Sequence, residues 1–156
     1  MNWIGFLRLA NLFVVGMIAG MEFAIHRGLS RYTAVLNNAS QIRLRQVLIL
    51  RSRIVVPAIF IPAAATGILI VVLDRHASGI WLRIGGMLAV LTWVAIRVLA
   101  SASINSSVLG WKPANPPDGW RALVSRAERF RIAALCAAVM AFVFFAAATG
   151  FLYPFR

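Results

Sequence analysis

The chain has 156 residues, a length suited to one domain; 62% of them are hydrophobic and the mean hydropathy is +0.85. A soluble domain is about 45–50% apolar even with glycine counted, so the excess here must face lipid. Its 16 Lys+Arg against 4 Asp+Glu sit between apolar runs rather than on a polar domain. That placement argues against nucleic acid as the partner and for charge that sets membrane topology and attracts anionic lipid head groups.

Four spans are expected, in one all-α bundle covering residues 1–156: about 3–26, 54–73, 80–100 and 132–153. The first is interrupted by Arg8 and Glu22, and its uncharged core, Leu9–Met21, has 13 residues. Arg8 following an apolar start and the lack of a clear small-residue cleavage site read as a retained span, not a signal peptide. Gly16 and Gly20 form a G-x-x-x-G on it, which serves either packing inside the bundle or a homo-oligomer. The basic loop that follows carries Arg27, Arg31, Arg43, Arg45, Arg51 and Arg53. Ser40 is placed to cap a helix leading into span two.

Span two is the cleanest. Ile54–Leu73 is 20 residues without a charge, enough to cross roughly 30 Å of hydrocarbon. Pro57 and Pro62 each remove a backbone donor, so a kink is expected, of a kind membrane helices tolerate. Span three holds Arg83 and Arg97 near its ends around a 13-residue core, Ile84–Ile96. The next loop adds Lys112, Arg121, Arg126, Arg129 and Arg131, and Asp118 follows Pro116-Pro117 as a candidate cap. From there Trp120, Leu123, Val124, Ala127 and Phe130 share a helical face. Helices two and four are therefore expected to project past the bilayer. Ile132–Phe155 is 24 uncharged residues, with Ala146 and Gly150 as a second small-residue pair. Cys136 stands alone, so it makes no internal disulfide, and it reads as a small core residue.

Counted with Arg97, the first and third loops carry 12 of the 16 basic residues, and the other side has Arg8, Arg75, Arg83 and Arg156. The excess places those two loops in the cytoplasm and both termini outside the cell membrane.

The polar residues of the spans converge near that cytoplasmic end. Glu22 and His26 are four apart and stack on one face, with Asn11 on the same stripe nearly three turns earlier. Arg97, Ser101 and Asn105 follow at intervals of four, and Glu128 and Arg131 stand at the start of span four. Three uses remain open for this group. It forms a structural ion-pair network, since a lone buried carboxylate is costly; or it surrounds a ligand or catalytic pocket with His26, whose reference pKa is near neutrality, as general base; or it lines a proton or ion path. His26 and His76 are the only histidines and fall on opposite sides, so bis-His haem, zinc and copper are not expected. Neither a phosphate-binding glycine loop nor a nucleophile elbow is present.

From Leu12 to Ala148 the chain resembles the anthrone oxygenase-like family of small four-span membrane proteins. The resemblance rests on Gly20-Met21-Glu22, the Gln41–Gln46 stretch leading to Pro57, Ile104-Asn105 followed by Trp111, and Trp120-x5-Arg126-x-Glu128 running into an Ala/Phe-rich helix. The chain departs from the family pattern at loop one, which lacks a proline, at Ile104, where a proline is common, and at Ala127, where an aromatic is usual.

The resemblance implies oxidation of a flat hydrophobic aromatic, a polyketide-like anthrone, to a quinone. The proton lost lies on a carbon whose anion is an aromatic enolate, able to meet dioxygen without a metal or flavin. It implies His26 as the base oriented by Glu22, Asn105 and Arg131 as stabilisers of the enolate oxygen, and Arg97, Glu128, Trp111 and Trp120 around the substrate. The alternative is a non-catalytic membrane protein or accessory subunit. A pocket of roughly 300 Å3 or more at the level of Glu22, His26 and Asn105 favours a ligand; a filled bundle with paired polar groups favours the structural role.

Overall fold

The computed structural model of the protein describes residues 3–33, 35–75 and 79–150, without the side chains of 29–33, 100 and 101. Its elements are α1 (Trp3–Thr33), α2 (Asn38–Leu73), α3 (Ile80–Ala95), a π-helical turn (Ile96–Ala100), α4 (Ser101–Gly110) and α5 (Trp120–Gly150). α3, the wide turn and α4 follow without a break, so the chain makes four rods, all long and apolar enough to cross a membrane. This is the expected all-α four-helix bundle of a multi-pass membrane protein. α1 packs on α2 and α5, and α3 packs on the same two, so the rods close a ring in chain order.

Burial explains the ring. Val15, Ile18, Val90, Trp93, Ala138, Ala141 and Phe145 fill its axis. Large apolar side chains also point outward, among them Phe13 at 69% and Trp81 at 80% exposed. In water such a surface would be a liability; in a bilayer it is the solvent-matched face. Cys136 belongs to that outer face, exposed, and not to the core where the sequence reading put it.

Every rod reaches past its apolar run at the end where α1 meets α2, which we call the basic end. α1 continues to Thr33, seven residues beyond the expected limit at His26, and the third rod continues to Gly110 rather than stopping near Ala100. α2 starts at Asn38, capped by Asn37, whose side-chain oxygen accepts from the Ser40 N–H at 2.8 Å. Ser40, expected as the cap, is instead the residue whose amide is satisfied. α5 starts at Trp120, directly after Gly119 at φ +75°, and Asp118 is exposed two residues before it. Here the left-handed glycine sets the entry, a conformation with no cost for a residue lacking Cβ.

α2 runs unbroken through Pro57 and Pro62. Just beyond them, Asn11 of α1 is fully buried and donates to the Ala63 carbonyl at 3.1 Å and to Thr66 Oγ1 at 2.9 Å. This amide clamp ties α1 to α2 inside the bundle. Of the glycines singled out above, Gly16 packs at Phe142, while Gly20 and Gly150 have open space where a Cβ would stand. The closest approaches are elsewhere: a Cβ on Gly86 would lie 2.8 Å from the Phe145 ring, and one on Gly67 2.5 Å from Met87 Cε.

Candidate functional site: an arginine-lined cavity at the basic end

Glu22 is fully buried on α1. Trp93 of α3 donates its indole N–H to Oε1 at 2.9 Å. Arg97, in the π-helical turn, brings Nε to 3.0 Å from the same oxygen, an ion-pair distance without hydrogen-bond alignment. Oε2 has no hydrogen-bond partner among the described residues. The wide turn matters to this geometry. A turn closed by i→i+5 bonds holds one more residue than an α turn, and such turns recur at functional sites.

A second carboxylate stands across the bundle. Glu128 of α5 accepts from Arg45 of α2 at 3.1 Å and from Arg131, one turn along its own helix, at 3.0 Å. Arg45 is buried, and its Nε has no partner among the described residues. Gln46 fixes the neighbouring loop by donating at 3.0 Å to the carbonyls of both Val108 and Trp111, two of the acceptors that a helix end leaves over.

Between these groups lies a cavity of about 240 Å3. Arg45, Arg51, Arg97 and Arg131 line it together with Asn105, and its walls are apolar, from Met21 and Ile25 on α1 to Val55 and Val56 on α2 and Phe130 on α5. Neither Glu22 nor Glu128 is in the lining; each stands behind the arginines it holds. Asn105 and Arg51 make no hydrogen bond or ion pair with any described residue. The surface offered to a ligand is therefore cationic and apolar, with one free amide.

The sequence-selected residues fall into three groups. Arg97, Asn105 and Arg131 line the cavity; Glu22 and Glu128 orient its arginines. His26 does not line it: it follows the lining residue Ile25, is half-buried, and its buried Nδ1 lacks a partner among the described residues. Trp111 and Trp120 do not line it either. Trp111 borders a separate shallow depression formed by 110–118, and Trp120 is buried with Arg121 over its ring at 5.6 Å. The Ser101 side chain and His76 lie outside the described residues.

Two things were missed. Trp93 is the hydrogen-bond partner of Glu22, and an indole three residues before the π-helical turn gives no sequence signal of that. At the opposite end, Asp74 ion-pairs with both Arg8 and Arg83, and Arg83 is only 1% exposed. These two arginines, read from sequence as charges within spans one and three that count toward topology, are held inside the bundle. The signal was available: Asp74 is the one acid on that side of the chain.

The chain matches no protein-family model, no curated protein and no solved structure.

Proposed function

We propose that this membrane protein binds a hydrophobic molecule bearing a negatively charged oxygen, admitted from the bilayer into the cavity at its cytoplasmic end. One observation carries the reading: four arginines and a free asparagine line an apolar cavity that no carboxylate lines. Guanidinium groups recognise oxyanions through fixed forks of donors, and do so more strongly away from bulk water. Fluorescence of a naphthalene sulfonate with the purified protein tests it. Saturable binding is expected in the wild type, with loss on substituting Val56→Trp, which fills the cavity; binding unchanged by that substitution refutes the reading.

The orientation belongs to the same proposal. With 12 of 16 basic residues at the basic end, that end faces the cytoplasm and both termini face out. A cysteine introduced at 115 should resist a membrane-impermeant reagent on intact cells, in a Cys136→Ser background, while one at 78 should react. The reverse pattern inverts the topology.

An enzymatic form of the proposal is suggested by the anthrone oxygenase-like resemblance. Arg97, Asn105 and Arg131 would hold the oxygen of a flat aromatic enolate, and the carbanion would reduce dioxygen: an anthrone and O2 give an anthraquinone and water. His26 would take the proton across the edge of the cavity beside Ile25. Oxygen uptake with anthrone checks this step, and His26→Ala should abolish it while leaving folding intact; full activity in that variant removes His26 from the mechanism.

The structural alternative is favoured by a specific observation, the pairing of Glu22 and Glu128 with arginines of neighbouring rods. A cavity of about 240 Å3 is also somewhat smaller than common small-molecule pockets. An accessory subunit would show the same ion pairs and no saturable ligand.

A further inference from the structure

The charges that meet at the cavity do not balance. Arg45, Arg51, Arg97 and Arg131 bring four positive charges, and Glu22 and Glu128 bring two negative ones, leaving an excess of two. Part of this excess is held away from water, since Arg45 is 8% exposed and its Nε has no partner among the described residues. Cations beside a low-dielectric wall are costly unless an anion joins them. The unfilled charge is on the cavity side, because both glutamates stand behind the arginines.

Resting on the reading of this cavity as a site for a hydrophobic anion, we propose that the anion is the head of a membrane-borne phosphate monoester. A phosphate monoester carries about −1.5 to −2 near neutral pH, which matches the excess of two, and presents three acceptor oxygens to the guanidinium groups. A carboxylate or a phosphodiester supplies one negative charge and leaves a cation uncovered. The Asn105 amide adds a neutral donor at the same wall.

The position of the apolar wall supplies the rest. Val55 lines the cavity and is 38% exposed, and Val55 and Val56 open the 20-residue uncharged run Ile54–Leu73. The cavity thus continues from the arginines directly onto the part of α2 that faces hydrocarbon. A chain attached to the phosphate leaves along Met21, Val55 and Val56 into the bilayer. Arg51, exposed and also lining, stands at the opening.

The test uses the full-length protein in neutral detergent and displacement of the naphthalene sulfonate by four probes: dioctanoyl phosphatidic acid, dioctanoyl phosphatidylglycerol, dioctanoylglycerol and inorganic phosphate. Phosphatidic acid should bind about tenfold more tightly than phosphatidylglycerol, the scale of one further charge-assisted contact, and dioctanoylglycerol should not compete. Arg51→Gln should weaken phosphatidic acid by about tenfold on the same basis without lowering the melting temperature, since Arg51 has no partner to orphan. Equal binding of the two phospholipids, or an Arg51→Gln variant with unchanged affinity, overturns the proposal while the hydrophobic-anion site stands. Inorganic phosphate competing as well as phosphatidic acid replaces the membrane source with a soluble one and overturns the lipid assignment. If the sulfonate itself fails to bind saturably, both this proposal and the reading beneath it fall.

Discussion

At one end of the bundle two arginines close on a single aspartate; at the other, four arginines surround a space and their two glutamates stand behind them. Both ends pair arginines with carboxylates. The difference is where the carboxylate lies. Asp74 sits between Arg8 and Arg83 and joins α1, α2 and α3 into a knot whose donors point inward at it. At the basic end Glu22 and Glu128 each pull on arginines from outside the cavity, which leaves other donor faces turned into it. A central acid makes a structural fastening, and peripheral acids make a receptor wall.

That contrast can be broken at Asp74 first, where the largest effect is expected. Asp74→Ala leaves Arg83, 1% exposed, without its counter-charge, and should cost about 3–5 kcal/mol as other severed buried pairs do. Unfolding in a denaturing-detergent titration measures it; a loss below about 1 kcal/mol would show that the knot is a surface pair. Glu22→Gln comes next. The amide oxygen keeps the Trp93 bond but the Arg97 ion pair is lost, for about 1.5–3 kcal/mol. The same change raises the positive excess at the cavity, so affinity for the naphthalene sulfonate should increase while stability falls. A drop in both would contradict the receptor-wall view. Asn37→Ala removes the cap that accepts from Ser40 and should cost about 1 kcal/mol with no change in ligand affinity. Arg51→Gln should leave stability within about 0.5 kcal/mol, because the residue is exposed and holds no partner; its effect is expected in binding alone.

Sequence reasoning reached the broad plan for a simple reason: lipid imposes a strong filter, and four long apolar runs with 12 of 16 basic residues on one side satisfy it. The inward face of Glu22 followed from the same filter, as did the company of Arg97, Asn105 and Arg131 at one depth. Details that depend on partners distant in sequence were not legible. Asp74 stood out only as the one acid on its side of the chain, and nothing local ties it to Arg8, 66 residues away. Glycine spacing pointed to Gly16 and Gly20, but close packing is decided by what faces a glycine, and Phe145 faces Gly86. His26 and Glu22 share a helical face, yet the cavity begins at Ile25 and Met21 on the next strip of α1. Ser40 and Asp118 had the right chemistry for caps, and the helices started at Asn38 and Trp120 instead, because a glycine's positive φ and an asparagine upstream were equally able to begin them.

The wide turn at Ile96–Ala100 puts the third rod out of phase with itself. In an unbroken α-helix the eight residues from Arg97 to Asn105 span about 2.2 turns and would leave the two side chains about 80° apart. The extra residue in the π turn absorbs most of that overshoot, so Arg97 and Asn105 reach the same cavity while Trp93 above them still meets Glu22. The rod behaves as two helices with different clocks. Removing one residue from the turn would rotate everything beyond it by about 100°, carrying Asn105, Ile104 and Val108 off the cavity together while the apolar ring around Val90 and Phe145 stayed in place. The receptor wall is thus separable from the bundle by a single-residue deletion, a kind of change that point substitutions cannot imitate.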